Sequence, residues 1–560
     1  MTTPWRNTAI FLFMAAIVFG GFVGDQLLAV TGDTQTQLRL YTELVHLAHE
    51  QYGDEVVYRD LVYSSINGML RALDPHTNFL SPESYENMRQ RQQGSFFGLG
   101  ILVSMRNGQL TVISPIEGTP AWRLGIRAGD VISTIEGEPT SSMSLDQAVS
   151  KLKGPKDTQV NIDIVRRGLT SPLELAVTRA EIPQSTVRFA YMIEPGVGYI
   201  RLTDFSRSTS SEIEKALEKL RGEGMERLLL DLRNNGGGLL DQAVAVSSFF
   251  VPESSRIVET RGRLANSYQT FYADGNYEPL DLPLVVLVNN GTASAAEILA
   301  GAIQDHDVGL VLGNSTWGKG LVQTVYNLSY GSGVALTTAK YYTPSGRLIQ
   351  RDYSSYFDYY GNFQEEPEPT DVAPADDVPE VQAPEPQFPE FTTDLGRKVY
   401  GGGGITPDRI VEFPDGPKGL QFLFARNAFF DFAIDFQTRH KVEDPSWQPP
   451  ESMVDEFSQW LVDNEILNEE DRDEIMSAED MRIFARRQIH SDIFTAAFGT
   501  EESHRITAAG DDQIQAALKL LDEAEQLLED RHQMRRRDRE RVVATEAELK
   551  GRELSRPESP

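Results

Sequence analysis

Three short, almost wholly apolar runs, at residues 227–232, 282–288 and 308–312, set the firmest limit on how this chain can fold. None alternates apolar with polar residues, so each suits a strand in a sheet covered on both faces. Between and before them the pattern changes period. Residues 198–202 read as another strand. Ser211-x-x-Glu214 has the form of a capping box, and Ile213, Ala216, Leu217 and Leu220 then line one helix face up to Gly222. Residues 181–350 are therefore predicted to alternate strands and helices in an α/β layer.

The ends of these runs carry the chemistry. The second ends in Val288-Asn-Asn-Gly-Thr-Ala-Ser294-Ala-Ala-Glu-Ile298. A strand, a Gly-containing turn, one serine among small residues and a helix start together present a hydroxyl at a sharp strand-to-helix turn. Taken alone, a serine there is more often a helix cap. Twenty-five residues on lies Ser315-Thr-Trp-Gly-Lys319-Gly-Leu-Val-Gln323. A lysine acts as a base near neutral pH only if desolvation lowers its pKa by several units. Trp317, Leu321 and Val322 are apolar neighbours, and no Asp or Glu lies within five residues of Lys319. The first run leads into Leu230-Asp-Leu-Arg-Asn-Asn-Gly-Gly-Gly238, where a Gly-rich turn lets backbone N–H groups approach a substrate oxygen. His306, flanked by Asp305 and Asp307, is the rival for a Ser-His-Asp triad; it is read as a surface loop residue. No histidine pattern with metal-ligand spacing occurs, and neither a metal nor a cofactor is expected.

Together these segments resemble the carboxyl-terminal processing peptidases, or tail-specific proteases. That family has its nucleophile in Ser-Ala-Ser-Ala-Ser-Glu-Ile and its lysine in Phe-Gly-Lys-Gly-x-Val-Gln. Here Thr292, Ala296 and Trp317 replace the flanking residues. The resemblance implies Ser294 as nucleophile, Lys319 as base and Gln323 as the residue holding the lysine amine. It also implies an oxyanion hole from Ala295 and an amide of Gly236 or Gly237, on a layered crotonase- or ClpP-like sheet.

Residues 94–180 change to short β-like runs with Gly and Asn-Gly turns. Phe97-Gly98-Leu99-Gly100-Ile101 resembles the carboxylate-binding loop of a PDZ domain, and residues 124–132 (LGIRAGDVI) resemble its later turn and strand. Such a loop is a nest for a terminal carboxylate, and the peptide adds as a strand.

The remaining segments complete a multidomain α/β and α+β plan: 1–31 anchor or signal, 32–93 helical, 94–180 PDZ, 181–351 peptidase core. An acidic Pro-rich insertion, read as disordered, follows at 352–395, the core returns at 396–415, and 416–560 is helical. Residues 7–24 carry no charge, follow Arg6 and span about 27 Å as a helix, enough for a bilayer. An uncleaved anchor is favoured over a removed signal, with the bulk exported to the periplasmic side of the inner membrane. The insertion, without Lys or Arg from 352 to 396, cannot bury a core. The run from Arg531 to Arg541 is read as a solvated helix surface. A net charge of −31 argues against nucleic-acid binding, and the absence of cysteine excludes disulfides and thiolate chemistry. Expected partners are proteins with apolar C-terminal tails and the membrane; an adaptor lipoprotein and a second copy of the chain are further candidates. The competing reading is a membrane-tethered PDZ adaptor with an inactive peptidase core.

Overall fold

A computed structural model describes residues 32–353, 388–412 and 416–554. The apolar segment at 7–24 and most of the acidic insertion lie outside them. Among the described residues no helix is long and apolar enough to cross a membrane. The chain divides into two compact units.

The smaller unit takes residues up to Tyr85 and 323–337. Helices Gly32–Gln51 and Tyr58–Arg71 lead to the short strand Asn78–Leu80, which pairs antiparallel with residues 333–335. The Asp74 carboxylate fixes the intervening turn, accepting from the His76 and Thr77 N–H groups at 2.8 Å each.

The larger unit begins with an antiparallel sheet whose strands run Ile101–Arg106, Gln109–Pro115, Val131–Ile135, Gln159–Val165, Leu173–Thr178 in spatial order. Ile101–Arg106 is an edge strand. Inward residues such as Leu110, Val112, Ile132 and Ile162 close its core. Helix Leu145–Leu152 is held at its start by a reciprocal capping box between Ser144 and Gln147.

The α/β layer has six strands: β1 (Val187–Glu194), β2 (Val197–Leu202), β3 (Arg227–Asp231), β4 (Leu284–Val288), β5 (Leu310–Gly313) and β6 (Arg409–Ile410). β1 is antiparallel to β2, and the rest are parallel. The apolar runs split by parity, as side chains on a strand must. Leu228, Leu230, Val286, Val288 and Val311 join the core formed with helices α1 (Thr209–Gly222), α2 (Leu240–Ser247) and α3 (Ala295–Asp305). Leu229, Val285, Leu287, Leu310 and Leu312 face the opposite way. They meet Ile514, Ala517, Leu521, Ala524 and Leu527 of the long helix α4 (Asp512–Leu554).

Several expectations shift in detail. α1 starts at Thr209, with Ser208 in the cap position, so no box forms at Ser211. Glu212 instead turns back to accept from the Thr186 and Val187 N–H groups at 2.7 and 3.0 Å. After the insertion, regular structure resumes earlier than 396, in the hairpin of Glu390–Thr392 with Lys398–Tyr400. The aromatic-rich stretch after 420 is two helices, Leu420–Ala425 and Ala428–Arg439, broken where Asn427 is left-handed. They open a helical module with its own aromatic core, including Phe429, Phe432 and Phe457. In the basic run, Arg536, Arg537 and Arg539 are exposed, but Arg531 is buried and paired with Asp281 at 3.0 Å.

Candidate active site

β4 delivers Ser294 to the start of α3. Its backbone is left-handed, φ 56° and ψ −115°, a conformation that strains a residue with a side chain and turns it out of the strand line. Behind it, α3 is an eleven-residue helix buried along its whole length. Ser294 itself is half-buried, so the turn brings it from the core to an accessible edge.

Glu297, one turn into α3 and fully buried, organises the surroundings. Its carboxylate accepts the Ser294 N–H at 2.8 Å, the Lys319 N–H at 2.9 Å, the Gly318 N–H at 2.7 Å and the Thr316 hydroxyl. Burial pushes its carboxyl above the usual range, against the pull of these donors. The Tyr341 hydroxyl donates toward two carbonyls, of Lys319 at 2.6 Å and of Ser294 at 3.0 Å. The Ser294 segment and the lysine segment thus share two partners, a buried carboxylate on the N–H side and a phenol on the carbonyl side. The expectation that no acidic residue lies near Lys319 holds along the chain only; in space Glu297 binds its backbone N–H.

The third element is the turn after β3. A Cβ on Gly237 (φ 98°) would lie 2.7 Å from the Ser294 Cβ and 2.9 Å from the Ala295 nitrogen, so this turn packs directly on Ser294 and only glycine fits. The Gly237 N–H donates to Asn235 Oδ1 at 2.9 Å, while Asn235 Nδ2 ties the turn to the Leu202 carbonyl at 2.9 Å. The Ala293 N–H donates to the Asn235 carbonyl at 2.9 Å, joining the turn to the Ser294 segment. Gly236 is exposed.

Below the turn, Asp231 is fully buried and receives Arg233, Arg201 and Tyr199. Burial opposes its charge, but the two guanidinium groups outweigh it and hold the carboxyl below the usual range.

Gln323 belongs to the smaller unit, where its Nε2 donates to the His76 carbonyl at 2.6 Å. His306 is not a surface loop residue. Its side chain is 11% exposed, with Nδ1 on Asp394 at 2.8 Å and Nε2 on the Arg256 carbonyl at 2.7 Å. Both ring nitrogens are engaged in this tie, which leaves neither for a triad. Sequence reading took Glu297 as a motif marker only and missed Tyr341, Asn235 and Thr316. The small-residue stretch before Glu297 was its one visible signal.

Before the PDZ-like sheet, Phe97 and Gly98 end the strand Ser95–Gly98, which pairs with Ala180–Pro183 in a separate two-stranded sheet. The carbonyls of Leu99 and Gly100 accept from Ala121 and Ile116 at 3.0 and 2.9 Å. Peptide planarity then turns the N–H groups of Gly100 and Ile101 the opposite way. A Cβ on Gly100 (φ 79°) would meet the Thr119 Cβ at 2.3 Å.

Residues 196–354 match peptidase family S41, and residues 111–166 match the PDZ domain. The chain is similar to a carboxy-terminal-processing protease of Bartonella bacilliformis, 39% identical over 322 residues, covering 57% of this chain and 74% of that protein. It is also similar to a carboxyl-terminal-processing protease of Synechocystis, 42% identical over 52% of this chain and 69% of that one. The carboxy-terminal processing protease CtpA of Bacillus subtilis is 33% identical over 58% and 68%. The chain therefore belongs to the carboxy-terminal processing proteases of peptidase family S41, serine-type peptidases, and carries a PDZ domain.

Proposed function

We propose that this protein is an endopeptidase that captures protein C-termini with its PDZ domain and cleaves near them, with Ser294 as nucleophile and Lys319 as base. The observation that carries the assignment is the pair of shared partners, Glu297 and Tyr341, each bonded to the backbone of both residues. Ser294 Oγ attacks the scissile carbonyl as the neutral Lys319 amine takes its proton. The oxyanion is met by the Ala295 N–H and by the turn after β3. Of the two candidate glycines there, Gly236 is the better donor, because the Gly237 N–H already serves Asn235. Lys319 then protonates the leaving amine, and water hydrolyses the acyl-enzyme. Gln323 holds the lysine amine in this scheme.

The substrate tail adds to the edge strand Ile101–Arg106, its carboxylate against the loop Phe97, Gly98, Leu99, Gly100 and Ile101. Proteins with apolar tails are the substrate class, and no cofactor or metal enters the reaction. Export to the periplasmic side, with residues 7–24 at the membrane, belongs to the same reading. An adaptor lipoprotein and a second copy of the chain complete the partners it names.

A protein ending in an unstructured apolar tail, incubated with wild type and with Ser294→Ala, tests the assignment. Wild type is expected to shorten or degrade it and the variant to leave it intact. Equal cleavage by both would remove Ser294 from the mechanism, and cleavage by neither would favour the adaptor reading. The rate is expected to fall at acidic pH as Lys319 protonates.

A further inference from the structure

The first turn of α4 reaches the loops that carry the catalytic groups. Asp511 caps this helix, its Oδ1 accepting the Gln513 and Ile514 N–H groups at 3.0 and 3.1 Å. The same carboxylate receives Arg233 Nη1 at 3.1 and 2.8 Å. Arg233, 4% exposed, opens the Gly-rich turn that packs on Ser294.

Gln513 is wholly buried, and its amide is used at both ends. The oxygen accepts from Arg233 Nη1 at 3.1 Å. The nitrogen donates to the Val411 carbonyl at 2.6 Å and to Asn314 Oδ1 at 3.2 Å. Asn314 opens the segment that runs to Lys319, and its own N–H is bound to the Val288 carbonyl at 3.2 Å, at the end of β4. One side-chain amide from outside the family-matched region thus holds the glycine turn with its acceptor and, with one of its two donated bonds, the start of the lysine segment.

We infer that Gln513, seated by Asp511, is a positioning residue that fixes the oxyanion turn and the lysine segment relative to each other. This rests on the Ser294–Lys319 reading. A buried amide satisfied at both ends is costly to lose, since removing it strands Asn314 and the Val411 carbonyl and loosens Arg233. Misplacement of reacting groups by about 1 Å can cost on the order of 100-fold in rate. The C-terminal module is on this view part of the catalytic scaffold.

The test uses the full chain and a quenched fluorescent peptide ending in Val-Ala-Ala. Gln513→Ala and Asn314→Ala are each expected to lower kcat about tenfold with KM within about twofold. Each is also expected to move the acid limb of the pH–rate profile, because the seat of the lysine amine changes. The double variant is expected to be no slower than either single, as two ends of one bridge should be. Leu521→Ala, on the sheet-facing side of the same helix, is expected to lower Tm yet keep the kcat and pH profile of wild type. Should Gln513→Ala not fold, the half-buried Asn314 carries the measurement alone. Wild-type kcat and pH profile in folded Gln513→Ala or Asn314→Ala, or an additive loss of about 100-fold in the double variant, would overturn the inference. An active Ser294→Ala would instead overturn the reading beneath it.

Discussion

Glu297 gathers four donors from two stretches of chain into one buried carboxylate. Glu297→Gln keeps the shape but turns an NH2 against groups that also donate. A buried polar group left without a partner costs about 1–3 kcal/mol, so Tm should fall. If that loss falls on the reacting geometry, kcat should drop roughly 10- to 100-fold. Thermal melts and single-turnover assays read the two effects separately. Gly237→Ala is expected to lower Tm and to lose about 100-fold in kcat, because its methyl would meet the Ala293 carbonyl, the Ser294 Cβ and the Ala295 nitrogen; thermal melts and titration of active enzyme in the folded fraction check this. Ser294 and Lys319 were legible as candidates because each sits in a motif. Glu297 was legible only as a neighbour of Ser294, since its other partners lie 19 to 22 residues away in sequence. Tyr341 was not legible at all: nothing local marks a tyrosine in a strand as a bridge between two carbonyls.

At the scale of elements, the PDZ domain and the C-terminal helical module meet around Arg106. Its guanidinium lies 3.9 Å over the Phe430 ring, and Asn107 reaches Asp431 at 3.3 Å. Asp492, on a helix of the module, is pushed up to about 6 by burial, against a hydrogen bond from Gln488 and the field of Arg106. Arg167 and Asp431 are further charges at this junction, 4.0 Å apart. An unfolded Asp ionises near about 4. Between that pH and about 6 the folded chain holds a proton that the unfolded chain has lost, so stability falls as pH rises through this window. Asp492→Asn is expected to raise Tm at pH 7 relative to wild type and to match it at pH 4, by calorimetry at both values. β3, β4 and β5 of the α/β layer were legible from their apolar runs, whereas β1 and β6, at its edges, carry no such run and were not. The start of α1 was not, because Ser208 and Ser211 both stand in cap-like surroundings and only the backbone chooses between them.

At the scale of the whole molecule, sequence left the C-terminal region without a role, yet α4 supplies the second cover of the central sheet. Spacing marks Ile514, Ala517, Leu518 and Leu521 as one face but points to Leu528 where the structure buries Ala524 and Leu527; the destination of that face, residues 229, 285, 287, 310 and 312, was not readable at all, because no local pattern encodes a contact across more than 200 residues. A chain ending at residue 511 would expose that face to water. It is expected to be insoluble, or compact without fixed packing, with lost near-UV circular dichroism and bound hydrophobic dye. The buried length of α3 has a mechanical consequence. A helix packed on every side has nowhere to slide or rotate, since close-packed interiors resist displacement. Ser294, fixed to its end, is a stationary anvil. With Ser294 as the proposed nucleophile, any difference between a silent and a working enzyme comes from pieces brought to the serine, so searches for control should look at the lysine segment, the glycine turn and the path of the incoming tail.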